Sequence, residues 1–130
     1  MVAIPKCVID IVPEAVKIIE SVSASGQPHA IVCGSIGIIG ESKVAVGEVL
    51  MKRTKENLAA NGKASILITA GPKSFELVLE NAKREDSGPV FEGLKAKLAE
   101  MKLPCFAAWT FDVKEVWDES AGPSAGTKIA

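Results

Sequence analysis

Apolar residues alternate with polar ones over much of the chain, and this period of two predicts β-strands. Residues 15–24 (AVKIIESVSA) are rich in branched side chains and end at the turn Ser25-Gly26-Gln27. Residues 28–39 (PHAIVCGSIGII) form the second predicted strand. Residues 15–39 are therefore predicted to fold as a hairpin.

Four further strands are predicted downstream. Residues 43–50 (KVAVGEVL) follow the turn Gly40-Glu41-Ser42, and their alternation places Val44, Val46 and Leu50 on one face. The next two strands are residues 63–70 and 74–82, separated by Gly71-Pro72. The last is residues 105–117, whose apolar side consists of Cys105, Ala107, Trp109, Phe111, Val113 and Trp117.

Helical patterns interrupt these strands. Residues 5–12 form a short predicted helix, with Pro5 near its start and Pro13 closing it. Residues 51–62 (MKRTKENLAANG) predict a second helix, because Asn61-Gly62 suits a C-terminal cap. After Pro89, helical spacing recurs at Phe91, Leu94, Leu98 and Met101. Six strands joined mostly by hairpins, with two or three helices, favour an antiparallel barrel that is closed or nearly closed.

Composition and charge narrow the classes of function. The 130 residues suggest one domain, 1–130, and a net charge of −1 gives no general attraction to nucleic acids or anionic membranes. No apolar run approaches the roughly 20 residues of a membrane helix, and the N-terminus lacks a signal-peptide core. The three cysteines form no CxxC motif, so we expect a reducing, cytoplasmic compartment and no metal site.

The glycine-rich stretch Gly34–Gly40 (GSIGIIG) does not predict a dinucleotide site. Its glycines are spaced at i, i+3 and i+6, and the next segment is a strand, whereas the dinucleotide motif requires GxGxxG before a helix. Small residues in a strand are typical of a bend, a bulge or a close backbone approach.

The second predicted helix carries cations at the end that should repel them. Lys52, Arg53 and Lys55 crowd its first turn, where the helix dipole is already positive. A bound anion would reverse this penalty, because free N–H groups and the side chains of Lys52 and Arg53 would converge on it. Thr54 adds a hydroxyl, and Asn57 lies one turn further on. The two hypotheses at this stage are a phosphate site and an ordinary solvated basic turn.

Residues with acid–base or nucleophilic chemistry show no distinctive spacing. His29, the single histidine, starts a strand and is interpreted as a surface or turn-edge residue, and Cys33 as a buried structural cysteine. A phosphate site without such apparatus suggests that a cofactor carries the chemistry.

The order of these motifs resembles the FMN-binding split barrels related to pyridoxamine 5′-phosphate oxidase, in particular their short stand-alone members. The matching features are Gly26-Gln27-Pro28-His29 at the first hairpin, the Thr54-x-x-Asn57-Leu58 pattern, and Asn61-Gly62 before the next strand. The resemblance extends from about Pro5 to Ile129. It implies a six-stranded antiparallel split β-barrel (Greek key) that binds FMN at the interface of a homodimer.

The resemblance also implies which residues bind the cofactor. The phosphate group would be held by Lys52, Arg53 and Thr54, with Asn57 bracing the turn. The isoalloxazine ring would lie along two strands, facing Val32, Cys33, Gly34 and Ser35 on one and Gly47, Glu48, Val49 and Leu50 on the other.

Two departures from the family limit the expected activity. The chain ends at SAGTKIA, without the arginine- and histidine-bearing substrate segment of pyridoxamine phosphate oxidases, so that reaction is not expected. There is no tyrosine, so aromatic stacking on the flavin would come from Trp109, Trp117 or a phenylalanine. For Trp109, core packing is the favoured interpretation.

The leading hypothesis is a small FMN-binding oxidoreductase or electron-transfer protein whose acceptor the sequence does not identify. The alternative is a non-enzymatic binding module for flavin or for another phosphorylated or haem-like ligand. A structural barrel that binds nucleic acid is disfavoured, because the chain lacks a basic stripe interleaved with aromatic residues.

Overall fold

A computed structural model describes all 130 residues, and it is mainly β. Its eight antiparallel strands are, in chain order, β1 (Val16–Val22), β2 (Pro28–Val32), β3 (Ile36–Gly40), β4 (Lys43–Gly47), β5 (Ala64–Ala70), β6 (Lys73–Glu85), β7 (Ala108–Asp118) and β8 (Thr127–Lys128). The helices are α1 (Lys6–Ile11), α2 (Lys52–Asn61) and α3 (Pro89–Glu100), with a 3₁₀ turn at Val12–Glu14. No helix is long and apolar enough to cross a membrane.

The strand count is the main correction to the fold expected from sequence, with eight strands rather than six. The predicted second strand, residues 28–39, is two strands with different partners. β2 pairs with β1, whereas β3 pairs with β4. The eighth strand is a two-residue pairing of the C-terminal tail with β7.

The hydrogen-bonded sheet runs in the order β2-β1-β5-β6-β7-β4-β3 and does not close. Its two end strands, β2 and β3, are consecutive in sequence and are joined only by residues 33–35. The four residue steps from Val32 to Ile36 span at most about 14 Å, so the sheet has to curl until its ends lie close together. The split between these ends is therefore bridged by the chain itself and not by a strand ladder.

The main core lies on the concave side of this curled sheet. Leu77 and Leu79 of β6 are buried with Phe111 and Val113 of β7, as the alternation predicts. A register shift follows in β7, because Val78 pairs with Glu115 while Leu79 pairs with Val113. This bulge places Val116 in the core in place of Trp117, which corrects the predicted apolar side of the last strand.

A second, smaller cluster fixes α3 against the outside of β4. It is formed by Phe91, Leu98, Cys105 and Ala108. The contact is close at Gly47, where the methyl group of an alanine would lie 2.8 Å from Leu98 Cδ1. The helix therefore covers the end of β4, and the strand ends at Gly47. Leu50 lies beyond it and is 85% exposed, so its predicted place on the face of Val44 and Val46 is wrong.

Candidate functional site

Two adjoining clefts lie where the β2–β3 link, the segment after β4 and the start of α2 meet. The first, called here the apolar cleft, has a volume of about 320 Å³. It is lined by Ile31, Val32, Cys33, Gly34, Ser35, Gly47, Val49, Leu50, Met51, Leu98, Met101 and Leu103. The second, the polar cleft, has a volume of about 530 Å³. It is lined by Glu48, Val49, Leu50, Met51, Lys52, Lys55, Arg84 and Phe106. Val49, Leu50 and Met51 line both, so the two clefts are continuous.

The apolar cleft brings together most of the residues expected to face a flavin ring. Residues 32–35 and Gly47, Val49 and Leu50 all line it, although the two groups lie more than ten positions apart in sequence. The link is held by hydrogen bonds at both ends: Cys33 N–H donates to Lys17 O at 2.9 Å, and Ser35 Oγ donates to Gly47 O at 2.9 Å. Since both walls are fixed by the sheet, the cleft is a preformed feature of the fold.

The two glycines of the apolar cleft have different roles. Gly34 is exposed, and no atom lies within 4 Å of the position a β-carbon would take, so its backbone is open to a ligand. At Gly47 a β-carbon would lie 2.8 Å from Leu98 Cδ1 and 3.3 Å from Ser35 Cβ. Gly47 is therefore packed tightly against α3, whereas Gly34 leaves space for a flat group to approach the main chain.

The polar cleft centres on the buried carboxylate of Glu48, a residue that the sequence resemblance places against the flavin ring. Arg84 grips it with two hydrogen bonds, Nε to Oε1 at 2.9 Å and Nη2 to Oε2 at 3.0 Å. Trp109 Nε1 donates to Oε1 at 2.9 Å, and Lys55 Nζ lies 3.9 Å from Oε2. The hydrogen bond from Arg84 is the main reason that the pKa of Glu48 lies below its ordinary value, against the opposing effect of burial.

Three cations and one carboxylate give the polar cleft a net charge of +2. Lys52 and Lys55 are exposed and lie three residues apart on α2, so they share one face of the helix. The backbone N–H groups of residues 52–54 donate no hydrogen bond within the protein, and no side chain caps this helix end. Free N–H groups, the positive end of the dipole and three cations are the elements of an anion site.

The predicted phosphate residues are divided by this geometry. Lys52 lines the polar cleft, whereas Arg53 is exposed and lines neither cleft. The hydroxyl of Thr54 is fully buried and has no hydrogen-bond partner. The part of Thr54 that could bind an anion is its backbone N–H group, one of the three free N–H groups at the start of α2. Asn57 is buried and donates from Nδ2 to Ser21 Oγ at 3.0 Å, which ties α2 to β1. The direct role expected for Arg53 stays a prediction.

Sequence reasoning missed Arg84 and the role of Trp109. Arg84 lies at the far end of β6, and β-pairing aligns it with Trp109 of β7. Trp109 is buried, as the core-packing interpretation expected, and lines neither cleft. Among the aromatic residues considered for stacking, Phe106 is the one at the clefts, 57% exposed at the edge of the polar cleft.

Comparison with known proteins supports the fold. No family model matches the sequence, and no curated protein matches it. Among solved structures, HupZ from group A Streptococcus has a TM-score of 0.81 at 21% identity, over 95% of this chain and 99% of that one. An FMN-binding protein from Syntrophomonas wolfei has a TM-score of 0.78 at 14% identity, over 88% and 84%. HutZ, the heme storage protein from Vibrio cholerae, has a TM-score of 0.66 at 15% identity, over 93% and 98%.

These likenesses define the class of fold. Proteins of the pyridoxamine 5′-phosphate oxidase family and FMN-binding proteins share it along most of the chain. The protein thus has the fold of the pyridoxamine 5′-phosphate oxidase-like split barrels, which confirms the resemblance seen in the sequence. Its structural neighbours bind different groups, FMN in one and heme in another, so the fold alone does not name the ligand.

Proposed function

We propose that the protein binds FMN, with the flavin ring in the apolar cleft and the phosphate in the polar cleft. The observation that carries this proposal is the continuity of an apolar cleft with a cation-lined one at a free helix N-terminus. FMN has the same two-part character, a flat apolar ring and a phosphate of charge about −2. The open backbone at Gly34 suits the flat ring, and the net charge of +2 in the polar cleft suits the phosphate.

The residues of the chain would hold and orient the cofactor. Lys52, Lys55 and Arg84, which line the polar cleft, would hold the phosphate together with the free N–H groups of residues 52–54. The walls of the apolar cleft exclude water from the ring, and the main chain at Gly34 offers its polar groups to the ring edge. When bound, the flavin supplies hydride or electron transfer, which makes the protein a small oxidoreductase or electron-transfer protein.

A homodimer fits the exposed apolar residues around the clefts. Val32 is 73% exposed, Leu50 85%, Met101 55% and Phe106 57%, an unusual concentration for the surface of one region. A second copy of the chain seated here would cover these side chains and close the clefts over the cofactor. The free cysteines accord with a reducing, cytoplasmic location.

Titration of the purified protein with FMN and with riboflavin tests the proposal. FMN should bind with quenched flavin fluorescence, and riboflavin, which lacks the phosphate, should bind at least tenfold more weakly. Reduction of the bound flavin by a nicotinamide donor, followed by reoxidation, would separate an oxidoreductase from a binding module without turnover. A protein that leaves FMN fluorescence unchanged would contradict the proposal.

A haem-like ligand is the second candidate, favoured by the sulfur atoms at the apolar cleft and by HutZ among the structural neighbours. Cys33, Met51 and Met101 line this cleft, and sulfur is a common haem-iron ligand. The cations of the polar cleft would pair with the carboxylate groups of the haem-like ligand. A haem titration followed by visible absorption decides between the candidates: a Soret shift with a 1:1 end point in a protein that ignores FMN would replace the first proposal by the second.

A further inference from the structure

The contact between Glu48 and Arg84 differs from a typical surface ion pair in its burial and in its two parallel hydrogen bonds. The Glu48 side chain is 4% exposed and the Arg84 side chain 37%, so the carboxylate is buried while the guanidinium reaches the cleft. Removing a carboxylate from water is costly unless its oxygens are satisfied, and three donors satisfy these. A buried carboxylate with this many donors either stabilises the fold or fixes the position of a neighbouring side chain, which here is Arg84.

The geometry leaves Arg84 with unused donors. A guanidinium has five N–H groups, and the bonds to Glu48 use one on Nε and one on Nη2. The remaining N–H groups make no hydrogen bond within the protein, and Arg84 lines the polar cleft. Because two parallel hydrogen bonds fix the plane of the guanidinium, its free edge has a fixed direction.

Trp109 in turn fixes Glu48. Its indole N–H donates to the same Oε1 atom that accepts from Arg84 Nε, and the residue is 4% exposed in the core. The main chain of Glu48 is also held, since its N–H donates to Ala107 O at 2.9 Å and its carbonyl accepts from Phe106 N–H at 3.0 Å. The carboxylate therefore has one position, set by the barrel wall.

We propose that Glu48 is a positioning residue, which holds Arg84 as a preformed fork for a phosphate monoester and so gives the site its preference for FMN over riboflavin. This inference rests on the proposed function, because it assigns the phosphate of FMN to the polar cleft. Preorganisation lowers the cost of ordering a long side chain when the ligand binds.

Glu48 has two opposing effects on the affinity for a phosphate. By charge alone, its carboxylate repels the phosphate, so Glu48→Gln would tighten binding. As a positioning residue, Glu48 holds Arg84 through two acceptors, because Oε1 accepts from Nε and Oε2 accepts from Nη2. Glutamine turns an N–H₂ group toward one of the arginine donors, so the fork is lost and binding weakens.

The test compares Glu48→Gln with wild type for FMN, riboflavin and inorganic phosphate. Glu56→Gln is the matched control, since Glu56 is exposed on α2, lines neither cleft and carries the same charge. We expect FMN affinity to fall about tenfold in Glu48→Gln, riboflavin affinity to change less than about twofold, and the control to match wild type. Unchanged or tighter FMN binding in Glu48→Gln would overturn the inference while leaving FMN binding intact.

Arg84→Lys is the second variant, in case Glu48→Gln does not fold. It keeps the charge but has no planar fork, so FMN should weaken and riboflavin should not. The indole N–H resonance of Trp109 reports the hydrogen bond to Glu48 directly and should shift in Glu48→Gln but not in Glu56→Gln. Equal FMN binding by Arg84→Lys and wild type would also overturn the inference.

Inorganic phosphate separates failure of this inference from failure of the proposed function. If wild type does not bind FMN, the proposed function fails, and the phosphate titration then decides the fork by itself. Phosphate that shifts the Trp109 indole resonance in wild type and more weakly in Glu48→Gln would support the fork. Phosphate that binds neither protein, or both equally, would overturn it.

Discussion

The apolar and polar clefts share three residues but are built in different ways. The walls of the apolar cleft come largely from two short segments, the β2–β3 link and the residues after β4, and the sheet holds both. The polar cleft depends on side chains far apart in sequence, since Arg84 lies 36 positions and Trp109 61 positions from Glu48. The first cleft is a shape set by the backbone, and the second is a charge arrangement set by side chains.

This difference implies different consequences for binding. Under the proposed function, the shaped apolar wall would act on the flavin ring, which FMN and riboflavin have in common, whereas the charge arrangement would act on the phosphate alone. Substitutions in the polar cleft should therefore change the ratio of FMN to riboflavin affinity. Substitutions in the apolar cleft should change both affinities together.

The largest expected effect is on FMN binding when both helix cations of the polar cleft are removed. Lys52→Gln with Lys55→Gln should weaken FMN about 100-fold, or ~2.7 kcal/mol, because two charge-assisted contacts are lost. Riboflavin affinity should stay within about twofold. Fluorescence titration of both flavins measures the ratio.

Arg53→Gln is the control for that variant on the same helix. Arg53 is exposed and lines neither cleft, so FMN affinity should change less than about threefold, the remainder of its long-range field. A loss of FMN affinity as large as that of the double variant would indicate that the phosphate binds on the face of α2 that carries Arg53. It would restore the role that the sequence predicts for Arg53.

The sequence predicts the two clefts unequally, for a physical reason. The residues of the apolar cleft are assigned from motif order, because each wall is a continuous stretch and neighbours in sequence stay neighbours in the sheet. The small residues Gly34 and Ser35 suggest a bend, but the strand end at residues 33–35 is missed, because no proline or charge marks it. Apolar residues resume at Ile36, so the sequence pattern continues on both sides of the break.

The polar cleft is harder to predict because its contacts are not local. The one signal for Glu48 is an acidic residue inside an apolar stretch, VGEVL, and nothing in that stretch indicates its partner. Arg84 becomes visible only through the pairing of β6 with β7, which includes the register shift between Glu80 and Lys83. A one-residue change of register would send its side chain to the other face.

The next prediction concerns stability and contrasts the two glycines of the apolar cleft. Gly47→Ala should destabilise the protein by about 1–3 kcal/mol, because the methyl group meets Leu98 and Ser35. Gly34→Ala should change the free energy of unfolding by less than about 0.5 kcal/mol, because its surroundings are open. Urea unfolding of both variants measures the difference. Equal losses would mean that α3 does not pack on β4 as described.

A smaller expected effect is the pH dependence of the Glu48 contribution to stability. The pKa of Glu48 is lower in the folded protein than its ordinary 4.5, mainly because of the hydrogen bond from Arg84. The unfolded chain therefore binds the proton more readily, and the stabilisation is present above pH 4.5 and is lost as the pH falls through the lowered value. Glu48→Gln should thus be less stable than wild type at pH 7, by about 1–2 kcal/mol, and the gap should narrow in acid.

Glu76 provides the opposite case on the same barrel. Burial raises its pKa, and the carboxylates of Glu119, Glu20 and Glu115 add to the rise while a hydrogen bond with Ser65 opposes it. Its ionised form is therefore disfavoured in the folded state, so Glu76→Gln should stabilise the protein at pH 7 by up to about 0.5 kcal/mol and lose that advantage in acid. The free energy of unfolding of each variant, measured as a difference from wild type between pH 7 and pH 3, should change with pH in opposite directions for Glu48→Gln and Glu76→Gln. A stability gap between Glu48→Gln and wild type that does not narrow in acid would contradict the contact between Arg84 and the Glu48 carboxylate, and the polar cleft would then lose its organising contact.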